Sequence, residues 1–220
     1  MNPKPLPPGS TIGLLGGGQF AQMLVHAGNA MGFRFVALDP NPECPAFFAG
    51  AEVISAPYGD RAALAELAKR CDLVTYEFEN VAVSGVEFLE SQVSVPQGSR
   101  LLALSQHRIR EKSTLQEQGF PVTPFRIVDS LTELTAAHEA LGPLMLKMVS
   151  GGYDGKGQRK IASAAGIEQG FGELTEIATP PFIAEKLVEF KRELSVVVAR
   201  NPSGEVASFP VGENVHEKNI

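Results

Sequence analysis

With 220 residues, 44% hydrophobic and 20% charged, the chain has a globular composition and room for one large domain or two small ones. A net charge of −6 without any lysine or arginine run argues against a nucleic-acid surface, although local loops of an acidic protein can still hold an anionic ligand. No stretch reaches the roughly 18 apolar residues of a membrane span, and Met1 to Pro8 is proline-rich without the apolar core of a signal peptide. Cys44 and Cys71 have no metal-ligand spacing and read as buried, reduced thiols of a cytoplasmic protein.

Thr11 to Leu15 is an apolar strand. Gly16-Gly17-Gly18-Gln19 turns it into a helix, where Phe20, Met23, Leu24 and Ala27 recur at i, i+3, i+4 and i+7. Gly28 and Gly32 mark its end, and Phe33 to Leu38 is a second strand closing on Asp39-Pro40. Gly16-x-Gly18-x-x-Ala21, with Asp39 about 20 residues on, fits the dinucleotide fingerprint and taken literally predicts NAD binding. A bare helix N-terminus accepts any anion, however. The motif specifies a Rossmann-like unit and leaves its ligand open.

Val53-Ile54 is a short strand, and Asp60 caps a helix carrying Ala63, Leu64, Leu67 and Ala68. Asp72 to Glu79 is the next strand. Gln19, Asp39, Glu77, Glu79 and Asn80 then fall at carboxyl ends of strands, where open parallel sheets bind ligands. Glu77 and Glu79 also fit the solvated face of an edge strand. Val81 to Leu89 begins a helix, Val93 to Pro96 is a short strand, and the first domain ends around Gly98. Ser105 to Gln118 is a polar helix with Arg108, Arg110 and Lys112, stopped by Gly119-Phe120-Pro121.

Phe125 to Val128 opens the second unit. Ser130-x-x-Glu133 is a capping box for a helix with Leu131, Leu134, Ala137 and Leu141 on one face. The apolar run Pro143 to Met148 contains Lys147 and leads into Gly151-Gly152-Tyr153-Asp154-Gly155-Lys156-Gly157, with a strand-like run from Gln158 to Ile161 beyond it. Four glycines in seven residues permit positive φ and close backbone approach, and converging N–H groups flanked by Lys147 and Lys156 suit a polyphosphate. No Gly-Lys-Ser/Thr opens a helix, so this is not a Walker A loop. Strand, glycine loop, strand is the shape of a flap over nucleotide phosphates. A glycine hairpin with solvated lysines has the same composition, and Tyr153-Asp154 at the tip favours the flap. Ile167 to Ile177 is helical, Thr179-Pro180-Pro181 breaks the chain, and Phe182-Ile183-Ala184 is a buried strand leading into Glu185-Lys186-Leu187-Val188. Leu194 to Arg200 and Glu205 to Phe209 form a hairpin over Asn201 to Gly204.

This order of elements resembles the ATP-grasp fold. With Gly152-Tyr153-Asp154-Gly155-Lys156-Gly157-Gln158 the chain is identified as a member of the N5-carboxyaminoimidazole ribonucleotide synthetase family, which uses ATP to carboxylate aminoimidazole ribonucleotide (AIR) with bicarbonate in purine synthesis. Further matches run in the family's order: Leu15 to Gln19, Leu38-Asp39-Pro40, Thr75 to Val81, Arg108 with Glu111-Lys112, Glu185-Lys186, Glu193-Leu194-Ser195 and Glu213-Asn214-Val215-His216. The family usually continues the first glycine loop as Leu-Gly-Arg, whereas Phe20-Ala21-Gln22 stands here.

The resemblance implies an α/β architecture: a Rossmann-like, pre-ATP-grasp domain over 1–100, a linker helix and first ATP-grasp lobe with the flap over 101–184, and the adenine hinge with the start of a second lobe over 185–220. It implies that Arg108, Lys147, Gly152, Tyr153, Asp154, Gly155, Lys156, Gly157 and Gln158 meet ATP. Glu185, Lys186, Leu187 and Val188 would read adenine through alternating backbone groups, Glu193 would take the ribose hydroxyls, and His216 would lie near the phosphates. Gln19, Glu77, Tyr153 and Asp154 would meet AIR, with Asp154, Tyr153 and Lys156 catalytic. Taken singly, His216 reads as a structural histidine, Glu193 as a hairpin surface residue and Lys147 as a strand-end lysine.

ATP and Mg²⁺ are the expected cofactors, AIR and bicarbonate the substrates, and a homodimer the assembly, with no nucleic-acid or membrane partner. The family continues past Glu-Asn-x-His into the part that holds an acidic metal-binding pair and the clamp on the AIR phosphate. The chain is therefore expected to lack that part and to carry no metal ligand. Rival expectations are an inactive or binding-only fragment, a dinucleotide-binding oxidoreductase domain, and a formate-dependent glycinamide ribonucleotide transformylase, whose first loop reads Gly-Ser-Gly-Glu.

Overall fold

The computed structural model describes residues 5–152, 156–201 and 203–215. The described residues divide into two units, one from Pro5 to Gln106 and one from His107 onward.

In the first unit, β1 (Thr11–Leu15), β2 (Arg34–Asp39), β3 (Glu52–Ser55) and β4 (Leu73–Tyr76) form a parallel sheet of order β3-β2-β1-β4. Between them run α1 (Gln19–Ala30), the short α2 (Pro45–Phe48) and α3 (Arg61–Arg70); α4 (Val83–Glu90) and α5 (Arg100–Ser105) follow. Alternation along β1 and β2 sends side chains into two cores. Leu14, Phe35 and Ala37 pack with Ala21 and Val25 of α1. Leu15, Val36, Leu38 and Val74 pack with Leu64, Leu67, Val86 and Leu89.

The Asp60 carboxylate accepts from the Ala62 and Ala63 N–H groups at 2.9 Å, so α3 starts where the sequence places it. Two helices went unread. Pro45 at N1 opens α2. α5 buries Leu102 in the first core, and the Gln106 amide donates to the Glu79 and Val81 carbonyls. The expected helix Ser105 to Gln118 is shorter, running over Arg108–Glu117, while Ser105 ends α5, which extends the first unit past Gly98 to Gln106. The segment Val93 to Pro96 makes one parallel bridge, Ser94 to Leu73, in place of a strand.

α1 departs from its periodicity. Its buried residues are Ala21, Val25 and Gly28, while Phe20, Met23 and Met31 are 66%, 63% and 64% exposed. The cause is close approach: a Cβ on Gly28 would lie 2.2 Å from Phe35 Cζ, so the small residues face the sheet and the large ones face outward.

In the second unit, α6 (Arg108–Glu117) precedes β5 (Phe125–Val128), α7 (Leu131–Leu141), β6 (Leu144–Met148), β7 (Gln158–Ile161), α8 (Ile167–Thr175) and β8 (Phe182–Lys186). The sheet is antiparallel with order β5-β8-β6-β7. Val128, Leu144, Leu146, Ile161, Phe182 and Ala184 meet Leu134 and Ala137 of α7 and Ile167 and Leu174 of α8 in one core. Ser130 Oγ accepts from the Glu133 N–H at 3.3 Å, and the Glu133 carboxylate accepts from Asp129 N–H at 2.6 Å, one residue earlier than a standard capping box. Helix α8 stops at Thr175, leaving Ile177 57% exposed.

The predicted strand Leu194 to Arg200 is split. β9 (Glu193–Ser195) pairs with β12 (Gly212–Asn214), and β10 (Val198–Arg200) with β11 (Val206–Ser208). The Phe209 N–H donates to the Val197 carbonyl at 2.9 Å between the two ladders.

Candidate functional site

The first unit gathers polar groups at the carboxyl end of its parallel sheet. β4 ends at Tyr76, so Glu77 and Glu79 lie beyond the strand, not along an edge-strand face. Glu79 is exposed. Glu77 is half-buried at the start of α1, beside exposed Gln19. Burial pushes the Glu77 carboxyl above the usual carboxylate range. The N–H groups of Ala21 and Gly18 pull it the other way, and the Asp39 charge adds to the rise. Glu77 Oε2 is buried without a hydrogen-bond partner.

Asp39 is 8% exposed and fully engaged. Oδ2 accepts from Gly17 N–H at 2.8 Å and from Tyr58 O–H at 2.7 Å, and Oδ1 accepts from Asn41 N–H at 2.9 Å. Burial, and after it the bond to Asp39, raise the Tyr58 phenol. The dinucleotide reading asked for a free acid at Asp39 and a bare α1 N-terminus. Asp39 instead ties the glycine loop to β2, and the Glu77 carboxylate takes the helix end. Cys44 and Cys71 are both buried and free, and burial pushes the Cys71 thiol up to about 12.

The second unit carries a cleft of about 300 Å³ lined by Met145, Lys147, Gln158, Glu185, Lys186 and Leu187, together with Thr123, Val188 and Phe190. The register explains why they meet. Met145 pairs with Glu185 and Lys147 with Gln158, on the sheet face opposite the helices that cover Leu144 and Leu146. Glu185 is 6% exposed. Its Oε2 accepts from Lys147 Nζ at 2.9 Å and lies 3.3 Å from Lys112 Nζ, while Oε1 is buried without a partner. A buried carboxylate held on one oxygen by two cations leaves the other as an acceptor for a donor that the protein does not supply.

The hinge backbone is only partly free. The N–H groups of Lys186 and Leu187 donate to the Pro124 and Pro143 carbonyls at 2.9 and 2.8 Å. These two N–H groups are therefore not among the backbone groups free to meet a base. Antiparallel pairing normally returns a bond to the same residue, but Pro124 has no N–H. The Lys186 carbonyl therefore gains no ladder donor on that side. Lys186 C=O and Glu185 Oε1 are two acceptors suited to an exocyclic amine.

Around the glycine hairpin, Met148 N–H donates to the Gly157 carbonyl at 2.9 Å and Arg108 N–H to the Val149 carbonyl at 2.8 Å, so α6 begins at the hairpin base. Gly157 has φ +75°, and a Cβ there would lie 2.6 Å from Met148 Sδ, so only glycine fits. Gly152 is half-buried and Lys156 is exposed. Tyr153, Asp154, Gly155 and His216 lie outside the described residues. Glu193 stands on β9, exposed, accepting from Asn214 Nδ2 at 3.0 Å, and is not part of the cleft lining. Sequence reasoning missed Lys112, Thr123, Met145 and Phe190. Lys112 had a signal, since it falls four residues after Arg108 on one helix face. Phe190 had none.

Comparison with known proteins matches residues 10–106 to a ribonucleotide synthetase preATP-grasp domain and residues 113–220 to an ATP-grasp domain. The chain is 39% identical over 221 residues to N5-carboxyaminoimidazole ribonucleotide synthase of Staphylococcus aureus (strain COL), covering all of this chain and 58% of that relative. The crystal structure of N5-carboxyaminoimidazole synthetase from Staphylococcus aureus complexed with ADP superimposes with a TM-score of 0.93 at 39% identity, over 100% of this chain and 58% of that one. The Aspergillus clavatus synthase in complex with ADP and 5-aminoimidazole ribonucleotide gives 0.85 at 31%, over 96% and 55%. The chain thus spans somewhat over half the length of these relatives.

The two units and the lysine–glutamate cleft define an ATP-grasp protein preceded by its preATP-grasp domain. Within that class the chain belongs to the N5-carboxyaminoimidazole ribonucleotide synthase family.

Proposed function

We propose that the chain takes part in ATP-dependent carboxylation of AIR with bicarbonate, giving N5-carboxyaminoimidazole ribonucleotide, ADP and phosphate. The observation that carries the reading is the buried Glu185 carboxylate with Oε1 unpartnered, beside the Lys186 carbonyl and the Lys147 ammonium in one cleft. The two acceptors suit the adenine amine, and Met145, Leu187 and Val188 offer apolar faces to the ring. Lys147, with Arg108, Lys156, Gly157 and Gln158 of the hairpin, would meet the phosphates.

Bicarbonate is a poor electrophile. Transfer of the γ-phosphoryl group to one of its oxygens releases ADP and creates a leaving group. The exocyclic amine of AIR then attacks the carboxyphosphate carbon, and phosphate leaves. Lys147 and Lys156 would stabilise the charge on the transferred group. Asp154 would orient the amine and accept its proton, Tyr153 would take part in catalysis, and Gln19 and Glu77 would bind AIR. The unpartnered Glu77 Oε2 supports a hydroxyl-accepting role. Glu193 and His216 would complete the ribose and phosphate contacts. Among the described residues no group of three His, Cys, Asp or Glu is placed to hold a metal ion. Mg²⁺ would be held on the ATP phosphates, where it would help to neutralise their charge.

A homodimer is part of the proposal. Leu24 and Ala27 of α1 and Met31 just past its end line an apolar groove of about 310 Å³ with Ile12 and Leu73, Phe20 and Met23 of the same helix are also exposed, and a second copy would cover this surface. Among the described residues no helix is long and apolar enough to cross a membrane. Consumption of ATP together with two unpaired cysteines suits a cytoplasmic setting.

The test is ADP release by the 220-residue chain with ATP, Mg²⁺ and bicarbonate, with and without AIR. AIR-stimulated release is expected, and Asp154→Ala should abolish the stimulation. ADP binding without turnover would replace this proposal with a binding-only role.

A further inference from the structure

Lys112 and Lys147 both reach the same oxygen of Glu185, at 3.3 and 2.9 Å, and all three side chains are largely buried, at 17%, 20% and 8% exposure. Two ammonium groups on one carboxylate leave one positive charge in surplus. The lysines are not equivalent. Lys147 stands on β6, lines the cleft and precedes the glycine hairpin, whereas Lys112 reaches Glu185 from α6 and does not line the cleft. Helix α6 buries no residue fully, so polar ties such as Arg108 N–H to Val149 C=O and Lys112 to Glu185 fix its position.

We propose that Lys112 is a positioning residue: it serves as the permanent counter-ion of Glu185, which lets Lys147 leave that carboxylate for the phosphates of a nucleotide. This rests on the nucleotide reading of the cleft. The physical need is plain. If Lys147 were the sole partner, each binding event would strand a buried carboxylate, and breaking a buried pair by removing one partner is strongly unfavourable. With Lys112 in place the carboxylate keeps one cation throughout, and its Oε1 stays turned to the base. A phosphate-free ligand such as adenosine makes no demand on Lys147 and so is indifferent to Lys112.

The experiment is calorimetric titration of the 220-residue chain with ADP and with adenosine. Lys112→Met should weaken ADP binding by roughly tenfold or more while adenosine changes by less than about threefold. Lys112→Arg should restore ADP binding. In a Glu185→Gln background, Lys112→Met should cost little further, because no buried charge is left to strand. Should the Met variant fail to fold, Lys112→Gln replaces it. Equal losses for ADP and adenosine would assign Lys112 a merely structural role and overturn the proposal. An unchanged ADP affinity beside a wild-type preference for ADP over adenosine would overturn it while leaving the nucleotide reading standing. A wild-type chain with no preference for ADP would remove both.

Discussion

Glu77 occupies a place that the glycine loop advertises for a ligand. Its carboxylate lies at the N-terminus of α1, and burial outweighs the helix amides in setting its titration. Unfolded, the group titrates near 4.5; folded, it titrates higher, so between the two values the native state holds more protons. The stability that protonated Glu77 contributes is therefore complete below the unfolded value and is lost as pH rises through the folded one. Melting curves of wild type and Glu77→Gln from pH 4 to 7 should show the wild type losing stability relative to the variant as pH rises. A difference that stays flat across that range would remove Glu77 as the titrating group. Asp39 shows why a motif can be right about shape and wrong about ligand. Its spacing from Gly16 is that of a ribose-binding acid, yet the carboxylate is turned inward to Gly17 and Tyr58. Spacing is legible in sequence; the direction of a side chain depends on Tyr58, 19 residues away.

At the scale of elements, local chemistry was legible and long-range packing less so. Asp60 and the Ser130/Glu133 pair start α3 and α7 as read, because a cap depends on residues two to four apart. The periodicity of α1 reports an apolar face without saying which surface covers it. Close approach of Gly28 to Phe35 decided in favour of the small face. The exposed stripe should then be an interface between copies. Sedimentation should show the wild-type chain as a dimer and a Met23→Lys/Leu24→Lys variant as a monomer. Folding stability should move by no more than about 0.5 kcal/mol, as for other surface changes. A monomeric wild type would remove this use of the stripe. Strands β9 to β12 expose Leu194, Val198 and Val206, and the residues between them expose Val196, Val197, Phe209 and Val211, so the ladders rest on backbone pairing rather than on a covered face.

At the scale of the whole molecule, no core is shared: two belong to the first unit and one to the second, and the division follows these cores rather than a composition shift in the sequence. Leu146 is fully buried in the core of the second unit. Leu146→Ala should cost that unit about 2–5 kcal/mol. Calorimetry should resolve two transitions in the wild-type chain, with the variant lowering one and sparing the other. A single transition that shifts as a whole would show the units to be energetically one. The Lys112–Glu185–Lys147 cluster belongs to this scale as well. It joins residues up to 73 positions apart, from α6, β6 and β8, and only Lys147 and Glu185 could be named as site residues from their own motifs.

Pro124 has a consequence of a different kind. By lacking an N–H opposite Lys186 it withholds one bond from the sheet, and the strand is left incomplete where a ligand could complete it. Replacing Pro124 with alanine would supply the missing donor. Pro124→Ala is expected to tighten the pairing of β5 with β8 and to weaken adenosine binding, as the carbonyl acquires an internal partner that competes with the base. The fold, on this view, is kept slightly unsaturated at one rung so that recognition can finish what folding leaves undone.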